Sequence, residues 1–168
     1  MAAQPSCVRF VPNYRAQSAV VNGQRRFFGR MPLEISGGGP GLVQAATETA
    51  VKKGVEIFYE TRAVSLIYDG LRVTGVRAQH KGQLVEFKAK SVVLACGGFE
   101  ANPEWRTRYL GPGWELAKVR GTPYNTGDGI NMALAIGASS FGNWSGSHAV
   151  QWDYNAPEFG DLSVGDNF

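Results

Sequence analysis

The chain has 168 residues, with 17 Lys+Arg against 14 Asp+Glu for a formal net charge of +3, 43% hydrophobic residues and 18% charged ones. That balance suits one domain of ordinary size with a packed core and argues against disorder. The positive excess is scattered, with no run longer than Arg25-Arg26, so no nucleic-acid partner is expected. No apolar stretch approaches the ~20 residues of a membrane span, and residues 1–10 lack the apolar segment of a secretory signal. The expectation is a cytoplasmic protein that does not span a membrane. Cys7 and Cys96 are the two cysteines; they cannot build a disulfide framework, and neither stands at zinc-ligand spacing from His80 or His148, so no metal site is expected. The 22 glycines are conspicuous because they cluster, at 37–41, 97–98 and 127–129. Clustered glycine suggests backbone packed closely against something.

Residues 1–36 mix Pro5, Pro12 and Pro32 with short apolar pieces, which predicts irregular structure and one hairpin around Asn22-Gly23. After Gly37 to Gly41, Leu42, Val43, Ala46 and Ala50 fall on one face of a helix predicted over 40–53, with Pro40 in its first turn and Gly54 at its end. Val55, Ile57 and Tyr59 then alternate with polar and aromatic neighbours, which predicts a strand. Val64 to Tyr68 predicts another, ended by the turn pair Asp69-Gly70. Residues 71–78 change parity at Thr74-Gly75, as a β-bulge would make them do. Lys81-Gly82 and the alternation of Val85, Phe87 and Ala89 complete an antiparallel meander.

Val92, Val93, Leu94 and Ala95 run apolar without alternation, the pattern of a strand covered on both faces in a mostly parallel sheet. It breaks at Gly97-Gly98. A short helix is predicted over 102–109, then a nearly all-apolar and therefore buried helix opening at Gly127-Asp128-Gly129 and ending at Gly137. From Ala138 onward the sequence turns irregular.

Each glycine cluster is a candidate anion cradle at a helix start or sheet edge. The first lacks the G-x-G-x-x-G spacing and a good strand before it, which leaves a tight helix start. At the second, a turn and contact with a flat or anionic ligand are equally good readings, since open α/β sheets bind ligands at such strand ends. At the third, Asp128 is expected to accept helix N–H bonds as an N-cap, and its carboxylate could also receive ligand hydroxyls. Cys96, in an apolar strand, reads as an inert small hydrophobe. His148, in a polar, aromatic, glycine-containing loop, is a candidate for function, although a lone histidine is more often structural. Arg15, Arg25, Arg26 and Arg30 could pair with carboxylates, but a solvated surface is the simpler reading. No nucleophilic triad, Walker motif or H-E-x-x-H is present, so hydrolase and kinase chemistry get no support.

The order of these parts resembles the middle of flavoproteins of the fumarate reductase/succinate dehydrogenase type: a glycine-led helix, 54–57, 61–64, a meander with Gly75-Val76, Ala89 through Phe99, Gly127-Asp128-Gly129 and Gly137-Ala138. Gly142 to Gly146 followed by His148 looks closest to tricarballylate dehydrogenases. The resemblance implies an α/β fold: part of a Rossmann-like FAD-binding domain with an antiparallel meander, plus the start of an α+β substrate (capping) domain. Boundaries would fall at 1–36 (irregular, beside the cap), 37–138 (FAD-binding domain) and 139–168 (cap). It implies FAD as cofactor, contacted by Val64 at the adenine and by Ala95, Gly97, Gly98, Asp128 and Gly129. Ser147 and His148 would lie at a small carboxylate substrate, with a protein or quinone as electron acceptor. Cys96 stands where Thr is common, and the histidine is shifted by one residue relative to fumarate reductases. In that family the pyrophosphate-binding strand and G-x-G-x-x-G come earlier and a catalytic arginine would lie beyond Phe168, so this stretch alone is expected to be inactive and to hold FAD weakly. Alternatives are a non-catalytic nucleotide-binding module, a fumarate reductase or a ketosteroid dehydrogenase.

Overall fold

The computed structural model describes residues 8–13, 18–29, 33–149 and 154–160. Cys7, Arg15, Arg30, Pro5 and Pro32 lie outside the described residues. The chain divides into two compact units, Met1–Phe58 and Tyr59–Phe168.

In the first unit, β1 (Phe10–Pro12) pairs antiparallel with β4 (Leu33–Ile35), and β2 (Ser18–Val21) with β3 (Gln24–Phe27). The β2–β3 turn is the expected Asn22-Gly23. Both residues have positive φ, 52° and 76°, as a type I′ loop requires. Helix α1 (Gly38–Lys52) packs against β4. Gly37 caps it in a left-handed conformation (φ 80°), and Gly41 lies so close to the Ser36 carbonyl that a Cβ there would collide with it. The first glycine cluster is thus a tight helix start. The predicted apolar face is not a buried one: Leu42 and Val43 are exposed.

The second unit is organised by a three-stranded antiparallel sheet of β5 (Thr61–Tyr68), β6 (Val73–His80) and β7 (Gln83–Lys88), in that spatial order. The meander forms as expected. Asp69 closes the β5–β6 turn, its Oδ1 accepting the Leu71 and Arg72 amides at 2.9 Å each. Lys81-Gly82 closes the next with φ 47° and 84°. Ile67 faces Gly75 while Tyr68 faces Val73, so Thr74 is the extra residue of a bulge, at the parity change seen in the sequence. A second bulge falls at Val64, between the pairs Ala63–Ala78 and Ser65–Arg77. Helix α2 (Pro103–Leu110), capped by Asn102 whose Oδ1 accepts the Trp105 amide at 3.1 Å, precedes a 3-10 turn at Trp114–Leu116. Helix α3 (Asp128–Ala135) packs against β5. Leu66, Gly75, Ala78, Arg106, Gly129 and Met132 are the buried positions of these elements.

Two predicted strands do not form. Residues 55–59 and 91–98 have no ladder partner among the described residues. Val93 is 87% exposed and Leu94 38%, so the expected doubly covered strand is neither laddered nor covered. An apolar run states a need for burial; a strand exists only where another strand supplies its hydrogen bonds. Helix α3 is also less buried than its composition suggests, with only Gly129 and Met132 buried.

Gly75 lies against the Phe87 carbonyl with no room for a Cβ, so Gly75→Ala is expected to lower unfolding stability by about 1–3 kcal/mol in chemical denaturation. The Asp69 carboxyl is held below its ordinary value of 3.8, first by the Arg72 amide and then by the Leu71 amide. A depressed carboxyl contributes stability that is present above its unfolded value and lost as pH falls through the folded one. Asp69→Asn keeps an acceptor without the titration, and should therefore flatten the loss of thermal stability below pH 3.8.

Candidate functional site

The second and third glycine clusters come together. The Gly127 amide donates to the Gly98 carbonyl at 3.0 Å, the Ala101 amide to the Asn125 carbonyl at 3.0 Å, and Asn102 Nδ2 to the Thr126 carbonyl at 3.0 Å. Asn125 Nδ2 donates to Glu100 Oε1 at 2.6 Å. The stretch 98–102 is thereby stitched to 125–127. Small residues are needed at this seam. A Cβ on Gly127 would meet the Trp105 ring at 2.7 Å, one on Gly97 the Asn125 side chain at 2.8 Å, and one on Gly129 the Cys96 Cβ at 2.8 Å. The "something" against which these glycines pack is first of all the protein itself.

Asp128 does not play the predicted capping role. The N-cap of α3 is Gly127, left-handed at φ 86° and without a side-chain bond. Asp128 sits one residue inside the helix. Its Oδ2 accepts from Arg62 Nε at 3.0 Å and pairs with Nη2 at 2.9 Å, and its Oδ1 accepts from the Thr126 hydroxyl at 3.0 Å. The carboxylate thus ties β5 to α3 and still suits the positive end of the helix dipole. Val64, two residues along β5 from Arg62, is partly exposed at its bulge. Cys96 is an exposed free thiol set against Gly129, so it packs locally as a small group but not within a covered strand.

Two cavities flank the seam. The smaller, about 290 Å³, has Leu94, Cys96 and Gly97 on one side and Gly129, Ile130 and Ala133 on the other. The larger, about 700 Å³, places Gly98 and Phe99 with Ser147 and His148, and includes Lys118 and Arg120. Of the expected site residues, Gly97 and Gly129 therefore share one cavity, while Gly98, Ser147 and His148 share the other. Ala95 and Val64 line neither. Arg25 and Arg26 are exposed on β3, with Arg25 Nη1 donating to Ser18 Oγ at 2.9 Å, in keeping with a solvated surface.

The larger cavity contains a residue that sequence reasoning missed. Arg106, 5% exposed, donates to the carbonyls of Glu100, Trp114 (2.8 Å), Glu115 (2.9 Å) and Ala117 (3.2 Å). It fixes the 114–117 wall to α2. The Glu115 carboxyl beside it is held below its usual range, first by its own amide and then by the Thr107 hydroxyl. Lys118 Nζ donates to the Tyr154 and Ala156 carbonyls, and a parallel bridge joins Val119 to Phe159. Nothing in a lone arginine of an amphipathic segment marks it as buried. The Asn-Pro pair at 102–103, by contrast, is a readable helix-start signal.

The residues fit a flavin-like group in one respect. Leu94, Cys96 and Gly97, in a stretch without a strand partner among the described residues, border an apolar cleft. A flat heteroaromatic ring with a hydrogen-bonding rim needs such an edge and such walls.

The family model described as an FAD binding domain matches residues 16–152. The chain belongs to the FAD binding domain family. FAD is the cofactor that goes with it. A relative, the NADH:fumarate oxidoreductase of Klebsiella pneumoniae (strain 342), is 29% identical over 112 residues, covering 65% of this chain and 12% of its own length. The chain is also similar to the structure of the open conformation of a flavocytochrome c3 fumarate reductase, at 32% identity and TM-score 0.59, covering 65% of this chain and 20% of that one. The 3-ketosteroid delta1-dehydrogenase of Sterolibacterium denitrificans, in complex with 1,4-androstadiene-3,17-dione, matches at 35% identity and TM-score 0.54 over 59% of this chain and 19% of that one. The chain thus spans a fifth or less of the length of these proteins. The α/β expectation holds at the level of the family fold, even though the parallel strand at 91–98 is not laddered among the described residues. No helix among the described residues is long and apolar enough to cross a membrane.

The seam predicts a coupled pair of substitutions. Gly129→Ala should destabilise the chain by about 1–3 kcal/mol through collision with Cys96. Cys96→Gly in the same chain should recover a large part of the loss, giving a double-mutant coupling of about 0.5–3 kcal/mol in urea unfolding.

Proposed function

We propose that the chain is the central portion of an FAD-dependent oxidoreductase that dehydrogenates a small, tricarballylate-like carboxylic acid at a C–C bond beside a carboxylate. The observation that carries this reading is the seam between Gly98 and Gly127, with a backbone edge and apolar cleft on one side and a cavity bordered by Ser147 and His148 on the other. In this reading 37–138 belongs to the FAD-binding domain, 139–168 begins the capping domain, and 1–36 lies beside the cap. Ala95, Gly97, Gly98 and Gly129 would lie along the cofactor, Val64 would offer its backbone to the adenine, and Asp128 would accept a cofactor hydroxyl in addition to Arg62. FAD supplies a hydride acceptor when bound.

The chain's own residues bind and orient. His148 and Ser147, both exposed and bordering the larger cavity, would donate hydrogen bonds to a substrate carboxylate. The reading places the enzyme in the cytoplasm, with a protein or quinone taking the electrons onward. A cyclic ketone substrate is a second reading. It is favoured by the size of the larger cavity and by apolar walls that include Leu110, Trp114, Leu116 and Val119, and by likeness to the ketosteroid dehydrogenase structure.

The test is anaerobic bleaching of the flavin in the whole protein by tricarballylate, succinate and a ketosteroid in parallel. Bleaching by tricarballylate is expected. Bleaching by the ketosteroid alone would select the second reading, and bleaching by none would favour a non-catalytic nucleotide-binding module. His148→Ala should raise the KM for the carboxylate roughly tenfold to a hundredfold, the effect of losing one hydrogen bond to a charged group, with the flavin still bound. Loss of flavin from that variant would place the 142–149 loop at the cofactor instead.

A further inference from the structure

The loop that carries Ser147 and His148 is a small folded body. Asn143 Oδ1 accepts from the Ser145 amide at 3.1 Å and the Ser145 hydroxyl at 2.9 Å, and Trp144 Nε1 donates to the Phe141 carbonyl at 3.3 Å. A Cβ on Gly146 would meet Asn143 Nδ2 at 2.8 Å. All of these contacts stay inside residues 141–146. Among the described residues, the ring contacts that leave the loop are made by Trp144. Its ring centroid is 4.8 Å from that of Tyr109, and 6.2 Å from that of Phe99 at an interplanar angle of 24°.

Those partners are not arbitrary. Phe99 directly follows Gly98 at the seam and contacts Trp105 at 5.6 Å and Tyr109 at 5.4 Å, so four rings form one cluster on α2. Trp144 also borders the smaller cavity, with Gly97 and Gly129, whereas Ser147 and His148 border the larger one. One ring therefore stands beside the backbone edge of one cavity and three to four residues before the polar groups of the other. Aromatic pairs have restricted geometry, so this cluster fixes where the loop leaves the seam.

We infer that Trp144 is a positioning residue: through Phe99 and Tyr109 it holds the 141–149 loop so that Ser147 and His148 meet the substrate at a fixed distance from the glycine edge. The inference rests on the reading of the larger cavity as the substrate site. It does not make Trp144 a catalytic residue, since the ring acts through the loop.

The experiment compares the whole protein with its Trp144→Phe, Trp144→Leu and Trp144→Ala variants by hydrogen–deuterium exchange and by steady-state flavin reduction. In Trp144→Ala, exchange in 141–149 should rise about tenfold or more while 61–88 stays at the parent rate. KM for the reducing substrate should rise about tenfold with kcat within about threefold, and Trp144→Phe should restore both, because it keeps a ring. If Trp144→Ala does not fold, Trp144→Leu is read in its place. Unchanged exchange in the loop, a loosened loop with unchanged KM, loosening that spreads to 61–88, or a Phe variant no better than Ala would each overturn the inference. If no substrate reduces the parent's flavin, the functional reading falls by itself. Exchange alone then decides whether Trp144 holds the loop: loosening in Ala with recovery in Phe sustains it, and no loosening refutes it.

Discussion

The close approach of two backbones at Gly98 and Gly127 governs the second unit. The amide-to-carbonyl bond between them, at 3.0 Å, brings 98–102 and 125–129 nearer than side chains would permit. Three aromatic or sulfur-bearing neighbours, Trp105, Phe99 and Cys96, fill the space where Cβ atoms would otherwise stand on Gly127 and Gly129. Much follows from that one contact. Helix α3 must begin at a left-handed glycine, so its cap comes from no side chain, and Asp128 is released from capping to pair with Arg62 across to β5. The two cavities meet this seam at adjacent residues, the smaller at Gly97 and the larger at Gly98, and Ile130 of α3 borders both.

What could be read from the sequence is what depends on neighbours a few residues away. Asn22-Gly23, Asp69-Gly70 and Lys81-Gly82 specify turns because their backbone preferences and side-chain acceptors act locally. The bulge at Thr74 showed as a change of parity, since a strand has a period of two and one extra residue must shift it. The starts of α2 and α3 were marked by Asn102-Pro103 and by Gly127 to Gly129. The strands expected at 55–59 and 91–96 were not legible in this way. Their hydrophobicity describes a demand for cover and ladder partners, and the sequence of the strand does not contain those partners.

Site residues divide along the same line. The glycine clusters announced a close approach, but not whether a ligand or the chain itself would be on the other side; here Asn125, Cys96, Trp105 and Phe99 occupy that side. The partner of Asp128 is 66 residues away, beyond the reach of any local pattern, and a helix-start aspartate reads by default as a cap. Arg106 was invisible for a related reason. Its acceptors are main-chain carbonyls of Glu100, Trp114, Glu115 and Ala117, and every residue type has a carbonyl.

That choice of acceptors has an electrostatic consequence for the larger cavity. A guanidinium paired with a carboxylate presents a nearly neutral pair, whereas one held by neutral carbonyl dipoles keeps its net charge. Arg106 is held by four carbonyls, and Lys118 by the carbonyls of Tyr154 and Ala156, beneath the Tyr154 ring at 5.4 Å. The Glu115 carboxylate bears on Arg106 but is turned toward Thr107 and the Gly113 amide, and Glu100, whose Oε1 accepts from Asn125, keeps one negative charge in the lining against Arg106, Lys118 and Arg120. Fixing both cations with dipoles secures the walls mechanically without cancelling their charge, which leaves an open cavity whose lining carries a positive excess. A positive lining of this kind is what the proposed carboxylate substrate would require. The apolar surface around it then sets how large the rest of the molecule can be.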